Sequence, residues 1–148
     1  MHLTRFSDIS LRALMLLSST DGGRVSTAEL ARRLHVSRDH LMKSLQALAD
    51  LGLVEGTRGR GGGFTLAEGG AGMRLGTLVR ALEPNVALAE CFLPASTCPL
   101  TGHCRLAGAL EDAAEAFFAA LDRHTIADLR PESRTLVQLG GNRVGPHH

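Results

Sequence analysis

The segment SRDHLMKSLQALADLGLVEGTRGRGGGFTL, residues 37–66, changes periodicity in its middle, and that change decides the fold. In its first half Leu41, Met42, Leu45, Leu48 and Leu51 recur at the spacing of one helical face, with Ser37 placed to cap the start and Gly52 to stop the run. Past Gly52 the spacing becomes that of strands, with runs at 53–57 and 63–67 around a glycine-rich tip. A helix with polar residues at its start that runs straight into a hairpin predicts the recognition helix and wing of a winged-helix module.

Upstream, STAELARRL at 26–34 reads as a short helix capped by Ser26 or Thr27, with Ala28, Leu30, Ala31 and Leu34 apolar. It completes a helix-turn-helix over about 27–51. A first helix runs from 7 to about 19 through Ile9, Leu11, Ala13, Leu14, Leu16 and Leu17, and DGGR at 21–24 ends it. Arg38, His40 and Lys43 would face the major groove, Arg58 and Arg60 on the wing a phosphate ribbon or the minor groove, and Thr27 and Ser37 are further candidate DNA-binding residues. Arg32, Arg33, Arg38 and Lys43 alone would equally describe a solvated helix face; the wing favours DNA. His35 and His40 have no partner ligand at a helical interval and read as surface or half-buried side chains. GRGGG lacks a following Lys-Ser or Lys-Thr and a strand-to-helix context, so it is no phosphate cradle.

Charge supports this division. The chain has 148 residues and a net charge of +1, yet residues 1–66 hold nine Lys and Arg against six Asp and Glu, and residues 67–148 hold seven against nine. A polyanion would bind the first part. With no Trp or Tyr and five Phe, the core must be aliphatic. Asp8 and Arg12 interrupt the apolar run near the start, no small-residue cleavage site follows, and no apolar stretch is long enough to span a membrane. A cytoplasmic protein without membrane contact is expected. No Ser–His–Asp or paired-carboxylate arrangement suggests an enzyme.

Downstream, MRLGTLVRALEP at 73–84 predicts a short helix through Leu75, Leu78, Val79 and Leu82, stopped by Pro84. Leu106, Leu110, Ala113, Phe117 and Leu121 then form an apolar seam on one long helix. Such a seam packs on its own domain or pairs with a second copy; the expectation is a homodimer that sets two recognition helices on palindromic double-stranded DNA. The fold class is therefore mainly α with a small β-hairpin wing. A winged helix-turn-helix domain spans 1–74, with the wing at 53–67. Residues 75–130 supply a linker helix, a loop at 91–104 and a dimerisation helix, and 131–148 form a flexible tail.

That loop holds all three cysteines, Cys91, Cys98 and Cys104, spaced C-x6-C-x5-C among Pro, Ser, Thr and Gly. A disulfide would leave one thiol over. Zinc with His103 is awkward beside Cys104, and inert buried thiols sit poorly in so polar a loop. Iron in a sulfide cluster suits both the charge and the softness of three thiolates. Sequence spacing alone leaves these options open.

The chain resembles the Rrf-type family of winged-helix iron–sulfur transcriptional regulators, and its nitric-oxide-responsive branch in particular. The resemblance rests on LTRFSDISLRAL near the start, residues 37–66, VRALEP before the loop, CPLTGHCRL within it and AFFAALDRHTIADL after it. It implies a repressor that binds DNA with its cluster intact and releases it on nitrosylation or cluster loss. It further implies a [4Fe–4S] cluster, with [2Fe–2S] as the alternative, on Cys91, Cys98, Cys104 and Asp8 from the partner subunit, with Arg12 one turn later steadying that carboxylate. Ala107 stands where the iron–sulfur-biogenesis branch has a histidine ligand, and the interval from Cys91 to Cys98 leaves the loop path open. Other readings are a [2Fe–2S] redox or iron-status regulator and a structural-zinc adaptor.

Overall fold

The computed structural model describes residues 2–84 and 87–138. Helix α1, Arg5–Ser18, starts two residues earlier than the apolar pattern suggests because Thr4 caps it; the Thr4 hydroxyl accepts from the Ser7 amide at 3.2 Å. Ile9, Ala13, Leu14 and Leu17 place α1 at the centre of the core.

Helices α2, Thr27–Leu34, and α3, Arg38–Asp50, are capped by Ser26 and Ser37. The turn between them passes through His35 in the left-handed region, φ 54 and ψ 45, and the Val36 amide returns to the Ala31 carbonyl at 3.1 Å. Helix α3 ends at Gly52, whose φ of +71 any L side chain would resist. The Leu53 amide closes on the Leu48 carbonyl and the Gly52 amide on Ala49, both at 2.9 Å, which seats Leu53 beside Leu48 in the core. Where α1 and α3 cross, small residues allow close approach, and the hydroxyls of Ser10 and Ser44 both donate to the Phe6 carbonyl, at 2.8 and 3.4 Å.

The wing is an antiparallel pair, β1, Val54–Thr57, and β2, Gly63–Leu66, in the register Val54 to Leu66 and Thr57 to Gly63. Val25 adds a third edge by exchanging amide hydrogen bonds with Phe64 at 2.9 and 2.8 Å, which anchors the wing to the start of α2. Two apolar positions of the expected stripe depart from expectation: Met42 in α3 and Leu51 just past its end are 40% and 42% exposed. Leu41, Leu45 and Leu48, all fully buried, already fill the core-facing stripe.

Helix α4, Leu75–Leu82, crosses α5, Arg105–Leu121, so closely that a Cβ on Gly76 would lie 2.2 Å from the Phe118 carbonyl oxygen. Asp122, just past α5, accepts the Thr77 amide at 2.8 Å and caps α4 from a distance, since Arg74 at its start makes no side-chain cap. The chain then returns along α4: Ile126, fully buried, donates its amide to the Met73 carbonyl at 3.1 Å.

Of α5 only Phe118 is buried, one position off the anticipated stripe; Leu110 and Phe117 are half-buried and Leu106 is 64% exposed. The Phe118 carbonyl, not its ring, comes up against Gly76, and the Arg80 guanidinium of α4 covers the ring at 4.0 Å. The seam is thus only partly covered within one chain. Ser133–Gln138 forms a short helix, α6, inside the stretch expected as tail, with Leu136 against the core. Residues 139–148 of that stretch lie outside the described residues.

Candidate nucleic-acid interface and cysteine loop

The amino ends of α2 and α3 and the wing enclose a concave surface of about 590 Å³, lined by Ser26, Thr27, Arg38, Met42, Gln46 and Arg58 among others. Arg38, Met42 and Gln46 stand one turn apart on α3, so they share a face. Sequence reading placed Arg38 and Arg58 here but assigned Met42 to the core and passed over Gln46. The four-residue spacing from Arg38 was the signal that would have found both.

Arg38, His40, Lys43, Arg58 and Arg60 are exposed. Among the described residues none of the four cations, Arg38, Lys43, Arg58 and Arg60, has an ion-pair partner. Arg32 and Arg33 differ: both grip Glu29, at 2.8 and 2.6 Å. The Arg32 fork, then Arg33, hold the Glu29 carboxyl down to about 2. The Ser37 hydroxyl accepts the His40 amide at 3.3 Å and lies 2.8 Å from His40 Nδ1, which fixes that ring at the start of α3.

The loop between α4 and α5 has one 3-10 turn, Glu90–Phe92, and among the described residues its backbone bonds are local turns such as Thr101 to Cys98 at 3.2 Å. Cys91, Cys98 and Cys104 are free thiols, each half-buried. Cys104 sits at the start of α5 without capping it. Among the described residues no three His, Cys, Asp or Glu side chains converge on one point. One chain in this conformation therefore does not gather the donors, although three free thiols in a polar loop suit iron–sulfur ligation in kind.

Asp8 lies on the outer face of α1, half exposed at 52%, and receives the Arg12 guanidinium at 2.5 Å. The other terminal nitrogen of Arg12 reaches the Leu34 carbonyl at the end of α2, at 3.4 Å. The root of the loop touches the same helix, because Glu83 accepts the Thr4 amide at 2.6 Å and its hydroxyl at 2.7 Å. Burial pushes the Glu83 carboxyl up, but hydrogen bonds from Ser7 and Thr4 outweigh it and leave the group below its ordinary value.

The profile of the Rrf2 family, described as an iron-dependent transcriptional regulator, matches residues 3–132. Over 142 residues the chain is 45% identical to the HTH-type transcriptional repressor NsrR of Streptomyces coelicolor, covering 95% of each chain. It is 38% identical to the HTH-type transcriptional regulator NsrR of Geobacillus kaustophilus, covering 98% of this chain and all of that one. Among solved structures, T. potens IscR superposes with a TM-score of 0.68 at 22% identity, over 87% of this chain and 85% of that one. The oxidized form of Staphylococcus aureus CymR gives 0.68 at 21%, over 89% and 98%. At such identities the two structures speak for a common winged-helix fold. Among the described residues no helix is long and apolar enough to cross a membrane.

Proposed function

The chain belongs to the Rrf2 family of transcriptional regulators, and from that premise we propose that it is a cytoplasmic homodimeric repressor of palindromic DNA, holding a [4Fe–4S] cluster and answering to nitric oxide. What supports this reading is the kind and placement of the donors: three free thiols confined to one loop and an outward carboxylate on α1, which among the described residues do not converge within one chain. Cys91, Cys98 and Cys104 would hold the cluster with Asp8 of the partner subunit. Such a cluster would supply electron-rich iron open to nitric oxide, most accessible where a hard oxygen ligand stands in place of a thiolate.

The chain's own residues do the rest. Arg12 steadies the Asp8 carboxylate and also touches the Leu34 carbonyl, so the position of Asp8 is felt at the turn that sets α3. Arg38, His40 and Lys43 enter the major groove; Arg58 and Arg60 bring the wing to the backbone. Two recognition helices must engage together. Losing simultaneous engagement weakens binding by roughly 10²–10⁴ with no single contact changed.

Anaerobically purified protein is expected to be brown, with iron and acid-labile sulfide at [4Fe–4S] stoichiometry. It should bind its operator tightly and let go after nitric oxide. A [2Fe–2S] count would shift the reading to redox or iron sensing. Iron-free protein that holds the operator as tightly as the loaded form would overturn it, and so would colourless protein with stoichiometric zinc.

A further inference from the structure

Met42 is out of place for a core residue and well placed for another purpose. It is 40% exposed at the middle of α3, although its neighbours Leu41 and Leu45 are fully buried, so the core has no need of it. Arg38 precedes it by one turn and Gln46 follows by one turn, and all three line the concavity between α2, α3 and the wing. Across that surface the Thr27 hydroxyl donates to the Met42 thioether sulfur at 3.6 Å, which holds the side chain in place. Gln46 turns its amide along the helix to Asp50 at 3.0 Å, leaving the centre of the face to Met42.

An unbranched thioether offers a duplex no ionic contact and only a weak acceptor; what it offers is apolar, adaptable surface. On the floor of the major groove only one group matches that chemistry, the C5 methyl of thymine. We infer that Met42, backed by Thr27, is a specificity-determining residue that reads a thymine methyl, so that each half-site requires a T·A pair opposite the middle of α3. This deepens the proposed DNA-binding function and rests on it.

Thymine and uracil differ by that methyl alone, which makes the test direct. Full-length, cluster-loaded protein selects its preferred duplex from a randomised pool, and the duplex is remade with deoxyuridine replacing thymine one position at a time. At one position per half-site affinity should fall roughly fourfold, the worth of one buried methyl. Met42→Ala should bind the thymine and deoxyuridine duplexes equally, whereas Met42→Leu, which restores apolar bulk, should still discriminate. The inference is overturned if no deoxyuridine position matters or if Met42→Ala discriminates as the parent does. A pool that yields no preferred duplex would instead overturn the DNA-binding reading beneath it.

Discussion

The Arg12 guanidinium donates to the Asp8 carboxylate at 2.5 Å, one turn back along α1, with side chains 41% and 52% exposed. Its Nε is buried and has no hydrogen-bond partner among the described residues, an arrangement that stability alone does not favour. A pair this exposed contributes less than about 1 kcal/mol.

Asp8→Ala should therefore shift the melting temperature of the metal-free protein by no more than about 3 °C. The loaded protein should bleach faster in oxygen or nitric oxide. Calorimetry and visible absorption read the two effects separately, and unchanged bleaching rates would remove Asp8 from the ligand set.

Arg58 and Arg60 flank the tip of the wing, exposed and without ion-pair partners among the described residues. If each meets a phosphate, replacing either by Ala lowers the slope of log affinity against log salt by about 0.9. Sequence preference should stay as it was. Binding isotherms at several salt concentrations measure this, and an unaltered slope would place the wing off the backbone.

His35 adopts left-handed geometry at φ 54, where a Cβ is strained. His35→Gly should relieve the turn between α2 and α3, with a net gain of about 0.5–1 kcal/mol after the added flexibility of the unfolded chain. Urea unfolding would register it as a higher midpoint at constant slope.

Gly76 gives the opposite case. A Cβ there would meet the Phe118 carbonyl at 2.2 Å and the Asp122 carboxylate at 2.6 Å, so Gly76→Ala must push α4 from α5 and disturb the Asp122 cap on Thr77. A loss of about 3 kcal/mol is expected. A urea midpoint equal to that of the parent would show that the two helices separate without strain.

Glu29, ordinarily near 4.5, is held down to about 2 by Arg32 and then Arg33. Because the folded value is the lower one, the stability it confers is complete above about 4.5 and disappears as pH falls through about 2. Solvent screening limits it to below about 1 kcal/mol. Glu29→Gln should thus be slightly less stable than the parent at pH 7, and the two should converge in acid.

Helix-turn-helix and wing were legible because each element writes its own period into the sequence, and Ser26, Ser37 and Gly52 mark their ends. Met42 and Leu51 misled because a leucine stripe at helical spacing looks wider in sequence than the core it fills; Leu41, Leu45 and Leu48 suffice. Phe117 fits the α5 stripe, yet Phe118 is the one buried, beneath the Arg80 guanidinium of another helix, which no spacing within α5 reports. The cysteine loop has no period, so composition could nominate its thiols but not their arrangement. Asp8 came from family resemblance alone, since a carboxylate proposed as a ligand for another chain leaves no local trace.

Thr4 begins the helix that carries Asp8, and Glu83 stands where the chain leaves α4 for the cysteines; their two hydrogen bonds join the receiving end of one chain to its own giving end. In a two-fold pair of the proposed kind, those clasps and the shared ligands link head to tail into a closed circuit. In such a pair a break at either junction would slacken the whole ring, so that damage on one side would be reported to both halves of the operator.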